Sequence, residues 1–548
     1  MRGRANEIEI ERDVAIPVAD GAVLRADVFH PIGVEGRVAD APTILERTPY
    51  GRANVGHTGF GPELARRGYR YVIQACRGTD GSEGEHSFFA EATDGRATAD
   101  WIAEQSWFNG SLGTYGASYM GFTQWALAST KPPYLKAMVV ALSTAMRQLS
   151  WYPGDSLALE LIVSWDLGAM DFGKPDAEPV VTDVTPEAVA EKMAQLAAAF
   201  AHLPVGDIIR AMRGQEYPFF GEQLTHATLD DPLWSSVDSR DLLPDWDVPI
   251  LLVDGWHDYP LPGVIRDYGV LRDAPAPAQL RIGGGGHLGG GGEGGMTDAA
   301  LDWFDTHLLG RPDLLEQPLD DRPVAVHVQG DAPEWRRFAD WPPPAEPTAW
   351  YLQPDGGLAT APAAESAPDT HVYDPTDPTP AAGGIGLISG GPVDNRALES
   401  RDDVLLYTTA PLTEPLVILG PVHAELHLET DNDHTDVFVR LCDVHPDGAS
   451  VNVCDALQRY TPATIARADD GTFVAAIDLW PAGHRFGVGH SIRLQVSGGA
   501  HPTYARNLGT GEDLVHGTAT RPARHVVHHD PAHPSHLVLP HAPATQES

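Results

Sequence analysis

The chain is poor in the residues on which several protein classes depend. Only three of its 548 residues are cysteine, too few for a disulfide framework. It contains no run of about 18 or more consecutive apolar residues, so we expect no membrane span. Residues 1–13 hold no apolar segment, and we expect no secretory signal peptide. Together these absences favour a cytoplasmic protein.

Positive charge is also scarce. The chain has only four lysines and a formal net charge of −39 at pH 7. A surface this acidic repels the phosphates of nucleic acids and of anionic membranes, and we expect neither as a partner. We interpret the charge as a solvated surface and expect a small-molecule substrate. The composition leaves the oligomeric state open, a homo-oligomer included.

The chain is too long for one hydrophobic core and divides into three parts. Residues 1–145 and 241–320 alternate between strand-like and helix-like segments, which predicts an α/β domain with a mostly parallel sheet. Residues 146–240 are rich in Ala, Leu and Met and predict a helical cap inserted into that domain. In residues 321–548 strand-like runs follow one another without helices, which predicts an antiparallel β-sandwich. The clearest runs are Val404–Thr408, Val422–Glu429, Val437–Cys442, Phe473–Leu479 and Ile492–Val496.

Ser118 lies in a glycine-rich turn between a short predicted strand and a predicted helix. A strand–turn–helix of this kind raises a serine hydroxyl above the sheet and places it at a helix N-terminus, where developing negative charge is stabilised. The generic pattern G-x-S-x-G is not met, because Met120 stands where glycine is expected and Gly121 follows one residue later. The alternative interpretation is an ordinary Gly/Ser turn into a helix.

A histidine and an aspartate follow two later predicted strands. His287 lies in a glycine-rich loop after the strand Leu280–Ile282, where α/β-hydrolases carry their catalytic base. Asp258 comes shortly after the strand Pro249–Val253 and is predicted to hold the imidazole in the required tautomer. Asp254 competes for this role but is closer to the strand. The order serine, acid, histidine is that of α/β-hydrolases, and it predicts the catalytic triad Ser118, Asp258 and His287.

Several further segments carry a resemblance to a known family. They are Arg47-Thr-Pro-Tyr-Gly51, Cys76-Arg-Gly-Thr-Asp-Gly-Ser-Glu-Gly84, Gly116-Ala-Ser-Tyr-Met-Gly121, Gly255-Trp-His-Asp258, Gly286-His287, Arg401-Asp-Asp-Val-Leu-Leu-Tyr407 and Asp443-Val-His-Pro-Asp-Gly448. With them the chain resembles the cocaine esterase / X-Pro dipeptidyl-peptidase family of serine hydrolases over nearly its whole length. The resemblance implies an α/β-hydrolase core, a helical cap and a C-terminal jelly-roll β-sandwich.

The resemblance also implies an oxyanion hole and a range of substrates. The backbone N–H of Tyr119 and the hydroxyl of Tyr50 would hold the oxyanion, and no cofactor is needed. The expected activity is cleavage of carboxylic ester bonds, and also of amide bonds, with X-Pro dipeptidyl-peptidase or acyl-peptide/amino-acid-ester amidase activity as the alternative. Trp151 and Trp165 of the cap are candidates for the acyl pocket or, equally, for the cap core. A catalytically silent ligand- or carbohydrate-binding protein is the alternative of another class.

Histidines crowd the end of the chain, but we expect no metal site. The six residues are His525, His528, His529, His533, His536 and His541. Their spacing fits no standard ligand pattern, and we interpret them as the polar face of a final strand and tail. Asp431-Asn-Asp433 lacks the Gly and Glu of a calcium loop and predicts a turn.

Overall fold

The computed structural model describes residues 7–57, 59–146, 148–171, 186–226, 231–235, 237–289, 296–311 and 322–543. The first part of the chain forms a mixed sheet with helices around it. Its strands are β1 (Glu7–Pro17), β2 (Val23–Gly33), β3 (Gly36–Arg37), β4 (Thr43–Thr48), β5 (Arg70–Ala75), β6 (Leu112–Ala117), β7 (Leu135–Ala141), β8 (Ile250–Gly255), β9 (Ala278–Gly283), β10 (Val324–Gly330) and β11 (Glu334–Phe338).

Twelve α-helices lie within the described ranges. They are α1 (Gly61–Arg66), α2 (Glu91–Ala103), α3 (Tyr119–Ala128), α4 (Gln148–Trp151), α5 (Leu159–Ala169), α6 (Pro186–Ala201), α7 (Ile208–Arg213), α8 (Pro218–Thr225), α9 (Pro232–Ser235), α10 (Leu261–Leu271), α11 (Met296–His307) and α12 (Arg396–Glu399). Within the described ranges, helices α4 to α9 follow one another with no strand between them, in the part of the chain that was predicted to be the cap.

The order of the strands in the sheet is β1-β2-β5-β4-β6-β7-β8-β9-β10-β11. The pairs from β5 to β10 are parallel, whereas β1–β2, β2–β5 and β10–β11 are antiparallel. The central strands are buried on both faces along nearly their whole length and are mostly apolar, as is usual for parallel strands covered by helices. The carboxyl ends of β6, β8 and β9 therefore share one edge, and the predicted triad follows these three strands.

Strands β10 and β11 lie beyond residue 320, where sequence analysis placed the start of the β-sandwich. Strand β10 pairs with β9 and β11 pairs with β10, so that the two strands extend the α/β sheet to Phe338. The alternating burial of β10 is typical of strands in an α/β sheet and in a β-sandwich alike. Its pairing with β9, about 40 residues earlier in the chain, leaves no signal in the local sequence. The division of the chain into domains stays a prediction. Its last boundary, expected at residue 320, moves to a point after Phe338.

The remaining strands form a β-sandwich. They are β12 (Glu346–Gln353), β13 (Gly357–Ala359), β14 (Asp369–Tyr373), β15 (Val404–Thr408), β16 (Leu416–Thr430), β17 (Thr435–Val444), β18 (Ser450–Tyr460), β19 (Phe473–Phe486), β20 (Ser491–Ser497), β21 (Ala523–His528) and β22 (His536–Ala542). In one sheet β16 pairs with β19 on one side and with β21 and β22 on the other. The order in the second sheet is β15-β20-β17-β18. Buried side chains of both sheets belong to one apolar core.

Candidate active site

Ser118 occupies a strained turn between β6 and α3. Its backbone torsions are φ 58° and ψ −121°, a left-handed conformation that is costly for any residue with a side chain. The turn is this tight because its neighbours are glycines. A Cβ atom on Gly116 would lie 2.5 Å from the Cβ of Met120, and one on Gly121 would lie 2.5 Å from the Cβ of Ser143. The glycine one position later than in the generic pattern is thus required by packing against the segment after β7.

The three predicted triad residues meet in the folded chain. The Nε2 atom of His287 lies 2.8 Å from the Oγ atom of Ser118. Its Nδ1 atom lies 2.8 Å and 3.0 Å from the two carboxylate oxygens of Asp258. A proton on Nδ1 is thereby held by the carboxylate, which leaves the lone pair of Nε2 facing the hydroxyl.

Asp254 is buried at the end of β8 and does not make this contact. Its Oδ1 atom accepts a hydrogen bond of 2.7 Å from the backbone N–H of Gly255. Burial and the nearby Asp258 carboxylate raise the pKa of Asp254 well above its usual value. Of the two candidates that the sequence left in competition, Asp258 is the one that reaches His287.

His287 is poised as a base. His287 is only 8% exposed, and its ring packs against that of Tyr259 with 4.7 Å between ring centroids. Burial lowers the pKa of His287 below its usual value. The imidazole is therefore neutral at neutral pH and able to accept a proton from Ser118.

Comparison with known proteins identifies the family. The family model of the X-Pro dipeptidyl-peptidase (S15 family) matches residues 20–289, and that of the X-Pro dipeptidyl-peptidase C-terminal non-catalytic domain matches residues 319–538. Cocaine esterase of Rhodococcus sp. (strain MB1 Bresler) is 31% identical over 577 aligned positions, which cover 97% of this chain and 98% of that protein. The chain belongs to the X-Pro dipeptidyl-peptidase (S15) family. It is a serine hydrolase that acts on ester or peptide bonds.

Solved structures with low sequence identity share the fold of this S15-family chain. An alpha-amino acid ester hydrolase superimposes with a TM-score of 0.82 at 23% identity. The superposition covers 98% of this chain and 97% of the hydrolase. An aminopeptidase from a Thaumarchaeota archaeon gives a TM-score of 0.81 at 23% identity, with the same two coverages. The predicted fold, an α/β-hydrolase core with a C-terminal β-sandwich, is confirmed.

A cavity lined by aromatic side chains opens next to Ser118. It encloses about 440 Å³ of unfilled space, including the part open to solvent. Both tryptophans singled out from the sequence line it: Trp165 of α5 stacks on Tyr119, and Trp151 of α4 also belongs to the buried core of the cap. Sequence reasoning missed Phe122, Leu161 and Tyr259, which come from separate elements and carry no shared motif.

The lining of this cavity is uncharged. Besides Ser118, the small hydroxyl side chains of Ser143, Thr144 and Ser150 line it. In the part of the chain that the structure describes, no aspartate, glutamate, lysine or arginine lines it. The cavity therefore suits an uncharged group with apolar or aromatic surface.

Tyr50 and Tyr119 lie side by side near the nucleophile. Their rings meet edge to face with 6.5 Å between centroids. The hydroxyl of Tyr119 donates a 2.7 Å hydrogen bond to Glu91, and Glu91 in turn forms a buried ion pair of 2.7 Å with Arg47. This chain of contacts places the backbone of Tyr119 at the start of α3.

Among the described helices, none combines the length and the apolar character needed to cross a bilayer.

Proposed function

We propose that this chain hydrolyses carboxylic esters through an acyl-enzyme formed on Ser118. His287 takes the proton of the Ser118 hydroxyl as the oxygen attacks the substrate carbonyl, and Asp258 stabilises the resulting imidazolium. The alcohol then leaves with the proton from His287, and water releases the acid by the same steps in reverse order. The observation that carries this proposal is the pair of short contacts from His287 to Ser118 and to Asp258.

The oxyanion that forms during attack needs hydrogen-bond donors. We assign this role to the backbone N–H of Tyr119 and to the hydroxyl of Tyr50. Tyr119 is the first residue of α3, so that its N–H points out of the helix N-terminus together with the positive end of the helix dipole. The support for Tyr50 is its contact with Tyr119 and the resemblance of its segment to the family.

The cavity favours an ester of an uncharged acid over a peptide with a free amino terminus. A dipeptidyl-peptidase must bind an ammonium group, for which a carboxylate is the natural partner. Among the described residues, Glu160 lines a smaller cavity that shares Ser150, Leu161 and Tyr259 with this one. Its oxygens already accept hydrogen bonds from the backbone N–H groups of Ile388 and Ser389 and from the Ser389 hydroxyl. Apolar and aromatic acyl groups are therefore the proposed substrates.

The deciding experiment follows release of p-nitrophenol from acetyl, butyryl and benzoyl esters, and of p-nitroaniline from an X-Pro dipeptide anilide. The wild type should cleave the esters, and the benzoyl ester with the lowest KM. Ser118→Ala should be inactive, whereas Ser129→Ala, at the far end of the same helix, should keep full activity. Equal activity of wild type and Ser118→Ala would refute the mechanism. Faster cleavage of the anilide than of any ester would refute the proposed substrate class and favour the peptidase.

We also propose a cytoplasmic location. All three cysteines, Cys76, Cys442 and Cys454, are buried and free, which suits a reducing compartment. Detection of the protein in the secreted fraction of its host would contradict this.

A further inference from the structure

The histidines near the end of the chain do not form a tail. They lie on β21, on β22 and in the turn between these strands. His528, Asp530 and His533 bring one ligand atom each within 4.8 Å of the others. We call these three residues the β21 cluster. Their side chains are between 13% and 20% exposed, so that an ion can reach them from solvent.

The carboxylate of Asp530 is fixed at the centre of the β21 cluster. Its Oδ1 atom accepts hydrogen bonds from the backbone N–H groups of Ala532 and His533, at 2.8 Å and 3.2 Å. Its Oδ2 atom lies 3.1 Å from Nδ1 of His533 and 3.9 Å from Nδ1 of His528. Separations of this size are those between neighbouring ligands of a tetrahedral ion held at about 2.0–2.2 Å.

Both histidines are oriented by a second carboxylate. Nε2 of His528 lies 2.8 Å from Oε1 of Glu429 on β16, and Nε2 of His533 lies 2.9 Å from Oδ2 of Asp470. A carboxylate at Nε2 keeps the proton on that nitrogen and directs the lone pair of Nδ1 towards Asp530. Histidines that ligate metals are held in this way, by an acceptor on the nitrogen away from the ion.

We propose that the β21 cluster binds a divalent transition-metal ion of the zinc type. The ligands are Nδ1 of His528, Nδ1 of His533 and Oδ2 of Asp530, with water at the exposed fourth position. Imidazole nitrogen and carboxylate oxygen are ligands that zinc accepts. The ion would tie β16, the Asp470 turn and the β21–β22 turn together. Because the cluster shares no residue with the cavity at Ser118, its role is in stability and not in hydrolysis.

A second group of possible ligands, Asp443, His445 and His490, differs from the β21 cluster because His484, from outside the group, also contacts its carboxylate. Each oxygen of the buried Asp443 carboxylate already faces a histidine, His484 at 2.9 Å and His490 at 2.8 Å. This group serves as an internal comparison for the experiment.

The test uses the full chain, freed of metal with a chelator and titrated with Zn²⁺ by calorimetry, and with Co²⁺ by visible absorption. We expect one ion per chain and a rise in Tm. Loss of a partner that only orients a ligand weakens metal binding by about 10–100-fold. His533→Gln and Asp530→Asn each remove a ligand and should weaken Zn²⁺ binding by more than this. In Asp530→Asn the amide oxygen can still accept the backbone N–H groups, so the turn is kept.

Two control variants locate the site. His423 lies on β16, as Glu429 does, and pairs with Asp478 of β19 at 2.8 Å. The variant His423→Gln should bind Zn²⁺ as the wild type does. His445→Gln should also bind normally. Unchanged Zn²⁺ binding in both His533→Gln and Asp530→Asn, absence of saturable binding, or loss in His445→Gln alone would overturn the proposal. In those cases a protonated His533 bridging Asp470 and Asp530 explains the geometry.

Discussion

The α/β region and the β-sandwich use the same pairing of a histidine with a carboxylate. At the active site Nδ1 of His287 lies 2.8 Å from Asp258, and the other nitrogen faces Ser118. In the β21 cluster Nε2 of His533 lies 2.9 Å from Asp470, and the other nitrogen faces Asp530. One nitrogen is anchored in both places, and the atom opposite the second nitrogen differs.

This difference separates a base from a ligand. A buried imidazole opposite a hydroxyl is neutral and can only take a proton from it. Burial lowers the pKa of His287, whereas the Asp470 and Asp530 carboxylates raise that of His533. A partly exposed imidazole between two carboxylates attracts a cation, either a proton or a metal ion. The surroundings, and not the histidine–carboxylate pair, decide the chemistry.

The largest expected effect comes from removing the charge of the anchoring carboxylate. Asp258→Asn should lower kcat about 10⁴-fold, because an amide holds the imidazole in the wrong tautomer. The matched change Asp470→Asn should leave kcat unaltered and weaken Zn²⁺ binding about 10–100-fold. Steady-state kinetics and calorimetry on both variants give the two readouts. A loss of kcat in Asp470→Asn would mean that the two regions are coupled.

Removal of one oxyanion donor should have the next largest effect. Tyr50→Phe should lower kcat about 10²–10³-fold while leaving Tm nearly unchanged, because only a hydroxyl is lost. Tyr351→Phe in the β-sandwich, where the ring packs on His536, is the control and should keep full activity. If Tyr50→Phe hydrolyses p-nitrophenyl esters at the wild-type rate, Tyr50 does not hold the oxyanion.

At mildly acidic pH the enzyme should be about tenfold more active than one whose catalytic histidine has the ordinary pKa. The base must be neutral, so kcat/KM falls as the pH drops through the pKa of His287 in the folded enzyme. Burial lowers that pKa to about 4 from 6.5. At about pH 5.5 a base with pKa 6.5 would keep about a tenth of its activity, whereas His287 should keep most of it. An acid limb centred at pH 6.5 or above, in enzyme shown by circular dichroism to be folded, would contradict this.

The smallest effect is expected at the junction of the two regions. Glu160 of α5 accepts three hydrogen bonds from Ile388 and Ser389. These bonds attach a loop between β14 and β15 to the cap. Glu160→Gln should lower the free energy of unfolding by about 1–2 kcal/mol, because charge-assisted bonds become neutral ones. Urea denaturation measures it, with the exposed Glu346→Gln as the control. Equal stability of the two variants would show that other contacts hold the loop.

The active-site residues could be predicted because their signals are local. A glycine turn between strand and helix marks Ser118, and a loop after a buried strand marks His287 and Asp258. Strand β18 was missed for the opposite reason, since its sequence carries Asp455, Gln458 and Arg459. In the fold Asp455 forms a buried ion pair of 2.8 Å with Arg440 on β17. A strand whose charges are neutralised by a neighbour looks like a surface segment in the sequence alone.

By itself, the sequence determined the fold class and predicted a triad of Ser118, His287 and one of two competing aspartates, with Asp258 favoured. These depend on side-chain periodicity and on turn residues, which act within a few positions along the chain. Only the tertiary structure decided that Asp258 and not Asp254 reaches His287, that β10 and β11 join the α/β sheet, and that His528 and His533 lie on either side of Asp530. Each of these depends on which distant segments pack together, and packing is settled by the shape and burial of the whole chain.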